Sequence, residues 1–312
     1  MKPAVICIMG PTASGKTALA IELAGQLPVE VISVDSVMVY RGMDIGTAKP
    51  DAVTLDAVPH RLIDIRDPAD PYSAAQFRED GVRQIEAIHA AGKTPLLVGG
   101  TMLYFRALLQ GLSVLPQADS HVRTRLLKEA EVKGWSVLRQ RLETIDPEAA
   151  RRIHPNDLQR LQRALEVFEL TGQPMSVLQK RGQRGLDEQY QVIKIALIPE
   201  DRIVLHGIIE KRFTSMLDQG LIEEVEGFYR RDDLSESLPA MRSVGYRQVW
   251  QYLDGQVEKA QVYEKAVAAT RQLAKRQMTW LRSESDVAKL DPQQTPMSEQ
   301  VSYVKHQVHT FT

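Results

Sequence analysis

A chain of 312 residues, 43% hydrophobic and 25% charged, has room for one large domain with an insertion or for two smaller ones, and its composition excludes a disordered chain. The 39 lysines and arginines stand against 40 aspartates and glutamates, so bulk charge indicates no nucleic-acid partner and any basic surface has to be local.

The first apolar run, 4–9, contains the single cysteine, Cys7, which cannot pair within the chain and fits a reducing compartment. This run leads straight into a glycine loop and does not read as a signal peptide. No stretch approaches the roughly 20 apolar residues of a membrane span. A cytoplasmic protein without a membrane partner is expected.

Further apolar runs at 29–34, 61–65 and 95–98 alternate with helical patterns at 16–25 and 74–91, the second stopping at Gly92. This alternation predicts parallel βα units. The next strand pattern, 192–198, comes too late for an ordinary connection, so 117–190 is expected to be a helical insertion. Within it, Asn156 or Asp157 can cap a helix that places Leu158, Leu161, Leu165 and Phe168 on its buried face and stops at Gly172. Helical patterns resume at Asp201, broken by a polar loop near 231–239 and by Asp254-Gly255, and after Ser283 the chain reads as polar and irregular. The expected fold is α/β: a P-loop parallel sheet flanked by helices, made of 1–116 and 191–312, with the inserted all-helical domain 117–190.

Between the first strand and first helix lies Gly10-Pro11-Thr12-Ala13-Ser14-Gly15-Lys16-Thr17, a match to G-x-x-x-x-G-K-[ST]. Its glycines let successive N–H groups turn toward phosphate oxygens. Lys16 adds a cation, Thr17 offers a hydroxyl to Mg²⁺, and the helix terminus adds partial positive charge. What the loop grips is left open. A nucleotide hydrolase usually carries an aspartate after a second apolar strand, but 95–98 runs into Gly99-Gly100-Thr101 instead. Asp35, at the end of 29–34, is the clear carboxylate near the loop. It can support Mg²⁺, act as a general base, or simply cap a turn.

The loop, with Asp35-Ser36-Val37-Met38-Val39-Tyr40-Arg41-Gly42-Met43-Asp44-Ile45-Gly46-Thr47-Ala48-Lys49-Pro50, resembles the amino-terminal signature of the tRNA isopentenyltransferase (dimethylallyltransferase) family. The likeness continues through Gly99 to Tyr104, Asp157 to Glu166, Arg242 to Arg247 and Thr270 to Gln277, in the family's order. It implies transfer of a dimethylallyl group from dimethylallyl diphosphate to the exocyclic amine of adenosine 37 in the tRNA anticodon loop, with Mg²⁺ as cofactor. The phosphate loop would then hold a departing diphosphate. The resemblance further implies that Asp35 is the general base, that Thr101 lies by the reacting groups, and that Arg212 clamps the diphosphate.

RNA contact has two supports in the residues themselves. Gln159, Arg160 and Arg163 fall opposite the expected apolar face of their helix. Arg271, Lys275 and Arg282 recur at helical spacing with no acidic residue between them, while Leu273, Trp280 and Leu281 lie on the other side. By that geometry Trp280 belongs to the core rather than to a stacking platform. The resemblance extends the tRNA surface to Asp35, Ser36, Val37 and Met38, to Thr101 and Arg123, and to Gln159, Arg160, Leu161, Gln162 and Arg163. It also adds Arg242, Ser243, Val244, Gly245, Tyr246 and Arg247, together with Lys275, Arg276, Gln277, Met278, Thr279, Trp280, Leu281 and Arg282. With no coiled-coil repeat or exposed apolar stripe, a monomer is expected. Two alternatives stand beside this reading: a small-molecule or nucleoside kinase in which Asp35 activates a hydroxyl, and an RNA-binding protein whose loop only switches affinity.

Overall fold

The computed structural model describes residues 2–111, 113, 115–180, 185–284 and 286–311, with backbone alone for the last three. Clustering of contacts divides the chain into two compact units, 1–109 with 186–312, and 110–185.

The larger unit is built on β1 (Ala4–Met9), α1 (Lys16–Ala24), β2 (Val29–Val34), α2 (Ala52–Ala57), β3 (His60–Arg61), α3 (Ala74–Ala90), β4 (Thr94–Gly99) and α4 (Met102–Leu109). Among the described residues these strands join two later ones in a six-stranded parallel sheet of order β3-β2-β4-β1-β5-β6. Neighbouring strands that are distant in sequence require crossover helices, and the helices cover both faces. β1 shows why. Val5, Cys7 and Met9 point into one core cluster, and Ile6 and Ile8 into the other. Burial pushes the Cys7 thiol up to about 12, so it is an inert core group.

The expected strand at 61–65 is a correction: β3 holds only His60 and Arg61, because Leu62 and Asp64 adopt positive φ angles of 63° and 56° and turn the chain away from the sheet.

The smaller unit contains α5 (Ser120–Lys133), α6 (Trp135–Ile145), α7 (Pro147–Arg152), α8 (Leu158–Thr171) and α9 (Met175–Lys180). Asp157 caps α8 by accepting from Arg160 N at 3.1 Å, and Gly172 ends it in the left-handed conformation. The buried face of α8 is Leu161, Ala164, Leu165 and Val167, packed with Leu126, Leu138 and Leu142. Leu158 is exposed and Phe168 half-buried, so the expected stripe is rotated toward smaller residues. The unit ends before 190 because Leu186 is buried in the core of the larger unit and Tyr190 stacks on His89 there.

The chain then returns as β5 (Gln191–Leu197), α10 (Arg202–Asp218), α11 (Leu221–Tyr229), α12 (Tyr246–Leu253) and α13 (Lys259–Ser283). The tail is a second correction. It forms the edge strand β6 (Ala288–Leu290) and the helix α14 (Met297–Phe311), whose Val301 and Val304 bury against Leu19 and Leu23 of α1. Val301, Val304 and Val308 have helical spacing, but the polar residues around them hide it.

Candidate active site

The site forms where β1, β2 and β4 end, the edge at which open parallel sheets bind ligands. β1 releases the chain at Gly10. A Cβ there would lie 2.6 Å from Ser14 Oγ and 2.8 Å from the Leu197 carbonyl, so the loop requires glycine at its start. Gly15 caps α1 with φ 85°, which supplies the curl that a phosphate cradle needs.

Lys16 folds back over this loop, donating to the Pro11 carbonyl at 2.5 Å and to Ser14 Oγ at 3.4 Å. Burial, then the nearby Arg212 cation, pushes Lys16 down to about 7 against the opposing pull of Asp35. Arg212, on α10, donates to the Thr47 carbonyl at 3.1 Å, and burial lowers its pKa as well. Two half-buried cations, one of which lowers the pKa of the other, make a pocket that favours an anion.

Both cations line one cavity of about 170 Å³, together with Thr12, Thr17, Asp35 and His60. Val98, Met38, Ile209, Phe213, Met216 and Leu273 give it an apolar wall. Asp35 Oδ1 accepts from Val37 N at 2.8 Å and Met38 N at 3.2 Å, so the carboxylate does cap the turn after β2 while lining the cavity. Thr101 lies beside the Asp35 turn. Its hydroxyl accepts from Ser36 N at 3.1 Å and donates to Ser36 Oγ at 3.3 Å, holding the turn that carries Asp35.

Gln277 links two parts of the site. Its Oε1 accepts from Thr12 N at 2.9 Å and its Nε2 donates to the Gly100 carbonyl at 2.8 Å, tying the phosphate loop to the end of β4. A Cβ on Gly100 would lie 2.5 Å from that Nε2, which accounts for this glycine. One donor and one acceptor position of the Gln277 amide are thereby used within the site.

The other proposed RNA residues divide by burial. Arg242, Arg247, Lys275, Arg276, Thr279 and Arg282 are exposed on the larger unit, while Ser243, Val244 and Gly245 line the cavity. Arg247 is paired with Glu236 at 3.6 Å. Tyr246, Met278 and Leu281 are buried, and Trp280 is half-buried beneath Arg106, 5.6 Å from its ring centroid. Arg271 leaves the basic stripe because Glu210 of α10 pairs with it, an acidic neighbour that the α13 sequence cannot show.

In the helical unit, Gln159 and Arg160 are exposed, Gln162 donates to the Arg123 carbonyl at 3.0 Å, and Leu161 is core. Arg123 and Arg163 both hold the fully buried Glu166, at 2.9 Å and 2.7 Å. Burial alone would raise the Glu166 pKa, and the two guanidiniums more than offset it, leaving it low.

Sequence reasoning missed His60 and Glu224. His60 reads as an ordinary residue of a short edge strand. Glu224 reads as a solvated acid in the first turn of α11, and no local signal distinguishes it.

A strand-loop-helix phosphate cradle, two half-buried cations and a carboxylate beside apolar side chains define a transferase site for an apolar group carried on phosphate. The chain belongs to the IPP transferase family, whose model matches residues 38–284. It is 59% identical to a protein named tRNA dimethylallyltransferase from Alkalilimnicola ehrlichii, over 94% of this chain and 92% of that one. Among solved structures it resembles the tRNA isopentenylpyrophosphate transferase of Bacillus halodurans, with TM-score 0.72, 36% identity and coverage of 99% and 96%. It also resembles a eukaryotic dimethylallyltransferase acting on tRNA, with TM-score 0.78, 26% identity and coverage of 98% and 77%. The family model begins after the phosphate loop, whereas the match to the Bacillus halodurans structure covers 99% of the chain.

Proposed function

We propose that the chain transfers a dimethylallyl group from dimethylallyl diphosphate to N6 of adenosine 37, in the anticodon stem-loop of tRNA, releasing diphosphate. The reading includes a cytoplasmic monomer; no helix among the described residues is long and apolar enough to cross a membrane. One observation carries it: Lys16, Arg212 and Asp35 line a single cavity that Val98, Met38, Ile209, Phe213, Met216 and Leu273 line as well. A prenyl diphosphate needs both halves of such a pocket, cations for its head and apolar surface for its tail.

In the reaction, the N6 lone pair attacks C1 of the allyl group, the C1–O bond breaks, and its electron pair leaves on diphosphate. Asp35 takes the proton that the alkylated nitrogen sheds. Lys16 and Arg212, with N–H groups of the loop, stabilise the charge that grows on the departing oxygens. Thr101 acts through Ser36, holding the turn that aims Asp35.

Magnesium fits these residues. Thr17 lines the cavity, and its hydroxyl is a hard oxygen donor that would hold the ion while the Asp35 carboxylate serves as the base. When bound there, it supplies further positive charge against the diphosphate.

The tRNA surface proposed on the larger unit consists of the exposed cations Arg242, Lys275, Arg276 and Arg282. Lys275→Ala is expected to weaken tRNA binding and lower the slope of log affinity against log salt by about one unit. An unchanged slope would remove Lys275 from the surface. The function itself is tested by mass analysis of nucleosides from tRNA incubated with the protein and dimethylallyl diphosphate. An N6-prenylated adenosine is expected, whereas unmodified adenosine after long incubation would favour an RNA-binding protein without covalent chemistry.

A further inference from the structure

The segment from Asp44 to Pro50 walls the cavity through Gly46, Thr47, Ala48 and Pro50, and its Thr47 carbonyl receives the Arg212 guanidinium. What shapes this segment lies 180 residues further along the chain. Glu224, on the first turn of α11, accepts from three successive backbone N–H groups: Asp44 at 3.1 Å, Ile45 at 2.7 Å and Gly46 at 3.3 Å. The Tyr246 hydroxyl donates to the same carboxylate. Three consecutive N–H groups turned to one anion form a backbone nest, here filled by the protein's own carboxylate.

The surrounding packing fixes the nest. A Cβ on Gly46 would lie 2.4 Å from the Tyr246 ring and 2.9 Å from Leu221, so the segment is seated directly on these two side chains. Tyr246 is fully buried, and burial followed by the Glu224 charge raises its pKa, keeping the phenol a donor. At the other end of the segment, Lys49 donates to the Tyr40 carbonyl at 3.1 Å and to Asp44 and Asp64 at 2.5 Å each. The segment is thus pinned on both sides of Thr47.

We infer that Glu224 is a positioning residue for the allylic diphosphate: by closing the nest at Asp44 to Gly46 it sets the Thr47 carbonyl, and through it the direction in which Arg212 presents its guanidinium to the diphosphate. The inference deepens the proposed function and rests on it. Tyr246 accordingly serves the donor side of the site by holding Glu224, with its side chain unavailable to RNA.

Glu224→Gln is nearly isosteric but removes the charge and can turn an NH₂ group toward backbone donors. The test is a double-variant cycle on the full chain, in which the wild type, Glu224→Gln, Arg212→Ala and the double variant are titrated with dimethylallyl diphosphate. Glu224→Gln is expected to weaken donor binding about tenfold in the wild-type background and less than about twofold when Arg212 is absent, since both act through one contact. Its donor KM should rise by a similar factor, with tRNA affinity changed less than about twofold. Equal weakening in both backgrounds, or wild-type donor affinity, would overturn the inference. If Glu224→Gln fails to fold, Tyr246→Phe carries the test: it should weaken donor binding about threefold, and only when Arg212 is present. No donor binding by the wild type would overturn the proposed function, and this inference with it.

Discussion

Replacing Asp35 with asparagine is expected to lower kcat about a hundredfold or more while leaving tRNA affinity within about twofold of the wild type. The structure selects asparagine over alanine. Asp35 Oδ1 caps the turn through Val37 N and Met38 N, so alanine would disturb Ser36 to Met38 as well as remove the base. Asparagine keeps an oxygen for those two donors and cannot accept a proton at neutral pH. Single-turnover rates with saturating tRNA, beside direct tRNA titrations, separate the two functions. Equal loss of binding with an undiminished chemical step would show that Asp35 only shapes the turn.

The second large effect belongs to Lys16. Removing a preorganised cation from the path of a leaving group costs about 3 kcal/mol in the transition state, on the order of a hundredfold in kcat, so Lys16→Ala should lose at least that much and also weaken donor binding. The protonation of Lys16 adds a signature of its own. In the free pocket its pKa is pushed down to about 7 by burial and by Arg212, so the amine is mostly neutral at pH 8. A bound diphosphate favours the charged form and raises that pKa, so donor binding at pH 8 takes up a proton, and affinity falls as pH rises above 7. Calorimetry in two buffers of different ionisation enthalpy reads this uptake directly. It should vanish in Lys16→Arg, whose guanidinium stays charged throughout. Uptake that persists in Lys16→Arg would assign the proton to another group.

The parts of the site that could be read from the sequence are those in which chemistry and local geometry coincide. Gly10 to Thr17 announces a strand-loop-helix turn suited to phosphate, because the glycines that let the backbone curl are interleaved with a lysine and a threonine, though it leaves open which phosphate compound is held. Asp35 could be read because it ends an apolar run. The insertion could be read because β5 follows β4 too late for a simple crossover. What escaped depends on partners far away in sequence. Glu224 gains its role from N–H groups at 44–46, and Gln277 from Thr12 and Gly100, so neither is marked in its own helix. Arg271 reads as part of a basic stripe until Glu210 is brought beside it.

The errors in the fold share that origin. The run at 61–65 has a strand's composition, but Leu62 and Asp64 take left-handed conformations that end pairing with β2 after two residues. The tail presents too few apolar residues to suggest α14, yet Val301 and Val304 suffice because α1 offers Leu19 and Leu23. Glu166 on α8, whose burial no local signal announces, is fully buried because Arg123 and Arg163 pair with it.

The central claim concerns what the loop from Gly10 to Thr17 releases, and one measurement addresses it most directly. The protein is incubated with tRNA, dimethylallyl diphosphate labelled in the allyl group, and ATP carrying a different label in its γ-phosphate, and the recovered tRNA is counted for both. The account predicts allyl label on the tRNA and none from ATP. Label arriving from ATP alone would contradict it and make the cavity the site of a kinase.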